Sequence, residues 1–194
     1  MNHSATNTKA RMMTATTALL EQQGYHATGL NQIIQASATP KGSLYFHFPG
    51  GKEELAIASI LAAGEAIGHK IEATLQTSET VGAAIAAFAH LLAQELEDSD
   101  FRKGCPVATV AMETAATSDR LRQACEQVYA AWIALVEKQL LAAGFTAGDA
   151  QAWTIFIWAA VEGALLLSRT HRSTEPLAIV ATKMQQLLTV STKG

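Results

Sequence analysis

Between residues 40 and 52 the chain reads Pro-Lys-Gly-Ser-Leu-Tyr-Phe-His-Phe-Pro-Gly-Gly-Lys, a short stretch dense in hydrogen-bond donors. Lys41, Ser43, Tyr45 and His47 can all donate to phosphate oxygens or to base edges. Gly42 and Ser43 are small and permit a bulky partner to come close to the backbone. Leu44 and Phe48, four residues apart, form an apolar side that can anchor the segment to a core. Lys52 follows the Pro49-Gly50-Gly51 break, at the start of the next helical segment, where amide N–H groups and the positive dipole end favour a phosphate. Thr28 stands at the start of the preceding segment and is a candidate for the same role. These residue types at these spacings suit the surface of duplex DNA.

Positioning them requires three helices. The first is expected over about residues 8–23, because Met12, Thr16, Leu19 and Leu20 share one face at helical spacing, with Met13 beside them. Gly24 is expected to end it as a left-handed residue. A second helix starting near Thr28 turns Leu30, Ile33 and Ile34 inward. Thr39 then reads as an N-cap and Pro40 as the first residue of a third helix ending at His47. A helix pair joined by a tight turn, with its second helix exposed, is the arrangement that enters a major groove. The alternative is an ordinary surface helix pair, with the aromatic residues at 45, 46 and 48 in the core and Lys41 as a solvated charge.

The remainder of the 194 residues supplies the scaffold. Hydrophobic residues make up 49%, against 16% charged and 6% aromatic, so a sizeable core is available. Strict apolar/polar alternation is absent, and the chain is expected to be all-α with about nine helices. The later ones are expected over about 52–76, 79–97, 106–116, 119–143, 149–169 and 175–188, with Thr146 and Asp149 forming a capping box. Net charge is −3, but residues 1–52 carry Lys9, Arg11, Lys41 and Lys52 against Glu21 alone. The basic N-terminal piece is therefore the part expected to face a polyanion. The N-terminus lacks an apolar signal-like region, and the apolar run 152–168, interrupted by Glu162, is shorter than the roughly 20 residues of a membrane span. Cys105 and Cys125 form no disulfide framework or metal spacing. A cytoplasmic protein with no membrane partner, metal or cofactor is expected. No hydrolase, zinc-protease, P-loop or dinucleotide signature is present, which argues against an enzyme.

The run from Lys41 to Phe48, followed by Lys52-Glu53-Glu54-Leu55, closely resembles the DNA-binding signature of TetR-family transcriptional repressors. Gly24-Tyr25, Thr28 and Ile33-Ile34 stand in the matching order, and the resemblance covers about residues 8–56. It implies a helix-turn-helix DNA-binding domain over residues 1–51 and a helical effector-binding and dimerisation domain over 52–194. It implies phosphate contacts from Thr28, Tyr45, His47 and Lys52, base contacts from Lys41, Gly42 and Ser43, and places Thr39 and Pro40 at the same interface. Phe46 is left with two readings, contact with a thymine methyl or partial packing. The chain departs from the family's common pattern in its turn, where Ser37-Ala38-Thr39 lacks a glycine. Its Pro-Gly-Gly linker is one residue longer than usual, and together with Gly104-Cys105-Pro106 it resembles one branch of the family.

The segment 149–169 is apolar on nearly every face and the segment 175–188 adds further apolar residues; such helices need burial all round. Pairing with a second copy achieves this, and a monomeric core helix is the alternative. The resemblance implies a homodimer through the last two helices, with Trp158, Gly163, Leu166, Leu177, Val180 and Met184 at the interface. An operator in the form of an inverted repeat would follow. For a small apolar or aromatic effector, Phe101, Met112, Tyr129, Trp132, Trp153 and Trp158 are the expected lining residues, with polarity from His90, Glu113 or Glu162. A redox-sensing Cys105 beside Arg102 and Lys103 is the alternative to a small-molecule effector, and a small buried hydrophobe is the plain reading of that thiol. A dimerising scaffold without DNA binding would leave the exposed face of residues 40–47 without a role.

Overall fold

The structure, a computed structural model, describes residues 2–191, with side chains over residues 7–188. Every regular element among the described residues is an α-helix. They are α1 (Asn2–Ala27), α2 (Leu30–Ser37), α3 (Lys41–His47), α4 (Gly51–Thr77), α5 (Val81–Asp98), α6 (Pro106–Thr114), α7 (Asp119–Ala142), α8 (Ala147–His171) and α9 (Glu175–Ser191). The expected all-α architecture and helix order are therefore observed.

The helices pack as two compact units. The first comprises Met1–Glu65 and Cys105–Val128, so α6 and the first half of α7 join α1–α3 and the start of α4. The second comprises Ala66–Gly104 and Tyr129–Gly194. Packing thus divides the chain differently from the functional boundary expected at 51/52, because helices distant in sequence complete the N-terminal unit.

In the first unit, Met12, Ile33, Leu44, Phe48 and Leu55 form one buried cluster, with Met13, Leu19, Leu30, Ile34 and Ala58 packed around it. One residue each from α1, α2, α3 and α4, plus Phe48, thereby fixes the three-helix head on the next helix. Gly24 interrupts α1 at φ 78°, ψ −175°. This is an extended conformation open almost solely to glycine rather than the left-handed helical one expected.

In the second unit, α9 lies against α5. A Cβ on Gly82 would sit 2.8 Å from the carbonyl oxygen of Met184, so glycine permits this close approach. Thr146 caps α8 as expected, accepting from the Asp149 N–H at 3.2 Å and donating its hydroxyl to Asp149 Oδ2 at 2.7 Å. The helix runs for 25 residues, longer than the 17-residue apolar run in the sequence, and is apolar enough to cross a membrane by length and composition. Length therefore does not exclude a span; Ala150, Thr154, Ile157, Trp158, Val161, Ala164, Leu165 and Ser168 form one buried stripe of α8, and its other faces are more open.

Candidate nucleic-acid interface and effector region

The turn between α2 and α3 is built without glycine. Ala38 takes the left-handed conformation at φ 48°, ψ 46°, with its N–H on the Gln35 carbonyl at 3.1 Å and the Thr39 N–H on the Ile34 carbonyl at 3.3 Å. This pair of bonds closes the end of α2 as a Schellman motif, with alanine where glycine is usual. Arg11 on α1 reinforces the turn, since its Nη2 donates to the carbonyls of Ser37 at 2.6 Å and Ala38 at 2.8 Å. The Ser37 and Thr39 hydroxyls meet at 2.6 Å beneath it. Sequence reasoning counted Arg11 only as a charge; an arginine on the first helix opposite a glycine-free turn was the available signal.

Two expected DNA contacts change role here. Thr28 is only 1% exposed and its Oγ1 donates to the Gly24 carbonyl at 2.6 Å, so the hydroxyl fastens the chain where α1 ends. It does not cap α2, which begins after Gly29; there the Gln32 side chain accepts from the Gly29 N–H at 2.8 Å. Thr39 is buried with its hydroxyl on Ser37 and does not cap α3. Pro40, at φ −64° and ψ 141°, is itself the residue preceding the helix rather than its first turn.

Helix α3 sorts its side chains cleanly. Leu44 and Phe48 face the core, whereas Lys41, Gly42, Tyr45 and Phe46 are exposed and Ser43 and His47 half-exposed. Phe46 is 77% exposed and Tyr45 51%, which removes the packing reading of Phe46. Open space surrounds Gly42. Lys9 on α1 lies 5.6 Å above the Phe48 ring, adding a cation near the end of α3. Lys52, in the first turn of α4, holds its ammonium 4.2 Å over the Tyr25 ring. Burial lowers its pKa, and the Glu113 carboxylate partly offsets that. The amides before Lys52 are already used, Gly50 N–H by Glu54 Oε2 at 2.6 Å and Gly51 N–H by the Phe48 carbonyl at 2.9 Å.

The expected effector residues separate. Tyr129 and Trp132 have ring centroids 5.4 Å apart, Trp132 and Trp158 5.3 Å, and Trp158 and Phe88 6.1 Å. Tyr129 Oη donates to Glu162 Oε1 at 3.0 Å, and the buried Trp158 Nε1 has no hydrogen-bond partner among the described residues. Phe88 was missed, although it belongs to the apolar stripe of α5. Trp153 stacks edge-on with Phe156 instead of joining the cluster. Met112 is 78% exposed and lies in the first unit, as does Glu113, so neither belongs to the aromatic group. Phe101 sits in the α5–α6 connection at φ 58°, and His90 is exposed.

The expected dimer residues also need correction. Trp158, Leu177 and Met184 are buried within the subunit, and Val180 is half-buried. The outward face of α8 instead shows Ile155, Phe156, Ala159, Leu166 and Leu167, with Gly163 half-exposed among them, and α9 shows Ile179 and Leu187. Cys105 is half-exposed and caps α6, its Sγ accepting from the Ala108 N–H at 3.4 Å. It is thus a cap rather than a buried hydrophobe. Burial pushes the Cys125 thiol up to about 11.

An N-terminal helix-turn-helix head with a donor-rich exposed helix, carried on an all-helical body, defines a DNA-binding transcriptional regulator. Residues 13–58 match the family model for bacterial regulatory proteins of the tetR family, and residues 82–183 match that described as transcriptional regulator LmrA/YxaF-like, C-terminal domain. The chain belongs to the TetR family. It is 36% identical over 182 residues to the HTH-type transcriptional regulator YxaF of Bacillus subtilis (strain 168), across 94% of this chain and 95% of that protein. Its identity to the HTH-type transcriptional regulator LmrA of the same organism is also 36%, across 94% and 97%. The fold is similar to that of a TetR transcriptional regulator from Legionella pneumophila, with TM-score 0.84 at 23% identity, covering 97% of this chain and 100% of the other. The family and these relatives are transcriptional regulators, not enzymes.

Proposed function

We propose that this chain is a cytoplasmic, ligand-responsive repressor that binds an inverted-repeat operator as a homodimer and is released by a small apolar or aromatic effector. The observation that carries the reading is the division of α3, with Leu44 and Phe48 locked inward while Lys41, Gly42, Tyr45 and Phe46 remain outside. Residues 1–51 act as the reading domain and residues 52–194 as the effector and dimerisation domain. Lys41, Gly42 and Ser43 face base edges, Tyr45, His47 and Lys52 hold phosphates, and Phe46 meets a thymine methyl. Pro40 sets the entry of α3, and Thr28 and Thr39 support the head from within.

One short helix reads few base pairs, so two copies about 34–36 Å apart are needed to occupy successive major grooves. The large apolar side chains exposed on α8 and α9 support pairing, as an isologous contact needs a self-complementary patch. The Tyr129–Trp132–Trp158–Phe88 cluster with Glu162 is the proposed effector region: aromatic rings, a carboxylate and an indole N–H unpaired among the described residues are the groups an aromatic compound with polar substituents would use. An effector needs to favour the form that does not bind DNA by only about 1–3 kcal/mol to change operator affinity about 5–150-fold.

A genomic footprint of the purified protein tests this reading. Protection of short inverted repeats is expected. Lys41→Ala should lower the slope of log affinity against log salt by about 1 if Lys41 meets phosphate, or relax preference at one base pair if it meets a base. A wild-type protein that protects no duplex at low ionic strength would overturn the assignment.

A further inference from the structure

Glu113 is the acidic residue of α6, and its position is unusual for a carboxylate beside a surface meant for a polyanion. Its Oε2 accepts from the backbone N–H of His26 at 2.8 Å, across 87 residues of sequence. Its Oε1 occupies the notch over Gly24, where any Cβ would overlap the carboxylate. Its charge acts on Lys52, at the base of α4. One side chain on α6 thus touches the place where α1 breaks and acts on the cation at the start of α4. Gly24 is doubly required: its backbone conformation suits glycine, and the absent side chain makes room for the carboxylate.

We propose that Glu113 is a positioning residue for DNA binding, a latch that holds α6 to the end of α1 and so fixes the three-helix head for operator contact. This rests on the DNA-binding reading above. A negative charge near phosphates opposes binding on simple electrostatics, so a latch role predicts an effect of opposite sign to charge removal. The His26 amide lies at the hinge between α1 and α2, where a lost acceptor lets the segment from Gly24 to Gly29 move. Thr28, pinned to the Gly24 carbonyl, carries such movement into α2. A second carboxylate works in parallel: Glu53 on α4 accepts from Ser118 Oγ and from Arg120 Nη1, each at 2.7 Å. That tie holds α4 to the start of α7 and leaves α6 to Glu113.

The test compares substitutions that share a charge change but differ in the latch. Glu113→Gln and Glu113→Ala both remove one negative charge, and only glutamine keeps an acceptor for His26. Glu113→Asp keeps the charge but is one methylene too short to reach. The probe is a duplex selected by the full-length wild-type protein from a random-sequence pool. Glu113→Ala should bind it at least about fivefold more weakly than Glu113→Gln, the lower end of ordinary coupling, and Glu113→Asp should resemble the alanine variant. Hydrogen exchange at the His26 amide should speed up in the alanine and aspartate variants and stay slow in the glutamine variant. Equal affinities within twofold for the alanine and glutamine variants, or unchanged exchange at His26, would overturn the latch. If the alanine variant does not fold, the aspartate and glutamine variants decide the matter by the same two readouts. Failure of the wild-type protein to select any duplex would instead sink the DNA-binding reading itself, a distinguishable result.

Discussion

Two parts of the molecule expose large apolar side chains, and their surroundings differ. On α3, Tyr45 and Phe46 stand among Lys41, Ser43 and His47, so each apolar surface has a donor within a turn of helix. On α8, Ile155, Phe156, Ala159, Leu166 and Leu167 stand exposed with no donor side chain among them, the half-exposed Glu162 being the charged residue between Ala159 and Leu166. A contiguous apolar patch without donors gains most by removal from water against a similar patch. A small apolar tip ringed by donors gains from a groove that offers thymine methyls between rows of acceptors. The same property, exposed hydrophobic area, therefore supports two different partners.

Breaking the apolar stripe should produce the largest effect. Leu166→Asp is expected to weaken dimerisation at least about 100-fold, because a symmetric interface would bury two unpaired carboxylates, one from each subunit. Sedimentation equilibrium measures this, and a dimer that survives unchanged would place the interface elsewhere. The contrast is sharpened by an inward residue of the same helix pair. Leu177 is fully buried in the subunit, so Leu177→Ala should cost about 2–5 kcal/mol of stability by leaving a cavity. Denaturation at fixed protein concentration would record it. Dimer affinity among the folded molecules should be unaffected, which separates packing within the subunit from pairing between subunits.

The contrast also explains what could be read in the sequence. In the head, apolar positions alternate with donors at helical spacing, so Leu44 and Phe48 announced the inner side of α3 and Met12 and Leu20 that of α1. In α8 nearly every position is apolar, and periodicity carries no information about which stripe faces inward. Trp158 was therefore assigned to the partner surface and proved buried, while Ile155 and Phe156 proved exposed. Met112 failed for a related reason: a lone methionine on a nine-residue helix fits a core or a surface equally. Thr28 and Thr39 have the right chemistry for phosphates, but burial, set by tertiary packing, commits their hydroxyls to the backbone and to Ser37.

A smaller effect distinguishes the two uses of exposed aromatic surface. Phe46→Ala should leave stability within about 0.5 kcal/mol, since the ring touches little of the subunit. It should reduce discrimination at one thymine by about 1 kcal/mol, the scale of one methyl-sized apolar contact. Binding to duplexes differing only by uracil for thymine, which removes the methyl, gives the measurement. If the wild-type protein does not distinguish them, Phe46 has no methyl contact.

The smallest expected effect lies in the turn that holds α3 in place. Ala38 adopts a left-handed conformation that costs an ordinary residue about 1–2 kcal/mol. Glycine has no such penalty but loses about 0.5–1 kcal/mol more conformational entropy on folding. Ala38 is exposed, so no packing is lost, and both bonds to Arg11 and the two Schellman bonds use backbone atoms that glycine retains. Ala38→Gly should therefore stabilise the protein by about 0.5–1 kcal/mol without changing operator affinity. Arg11→Ala should reverse that gain, because the Ser37 and Ala38 carbonyls then lose their donor while the turn conformation still has to be held. A destabilised Ala38→Gly variant would mean that the hydroxyl pair and Arg11 already constrain the turn so tightly that the alanine methyl limits the unfolded chain more than it strains the folded one.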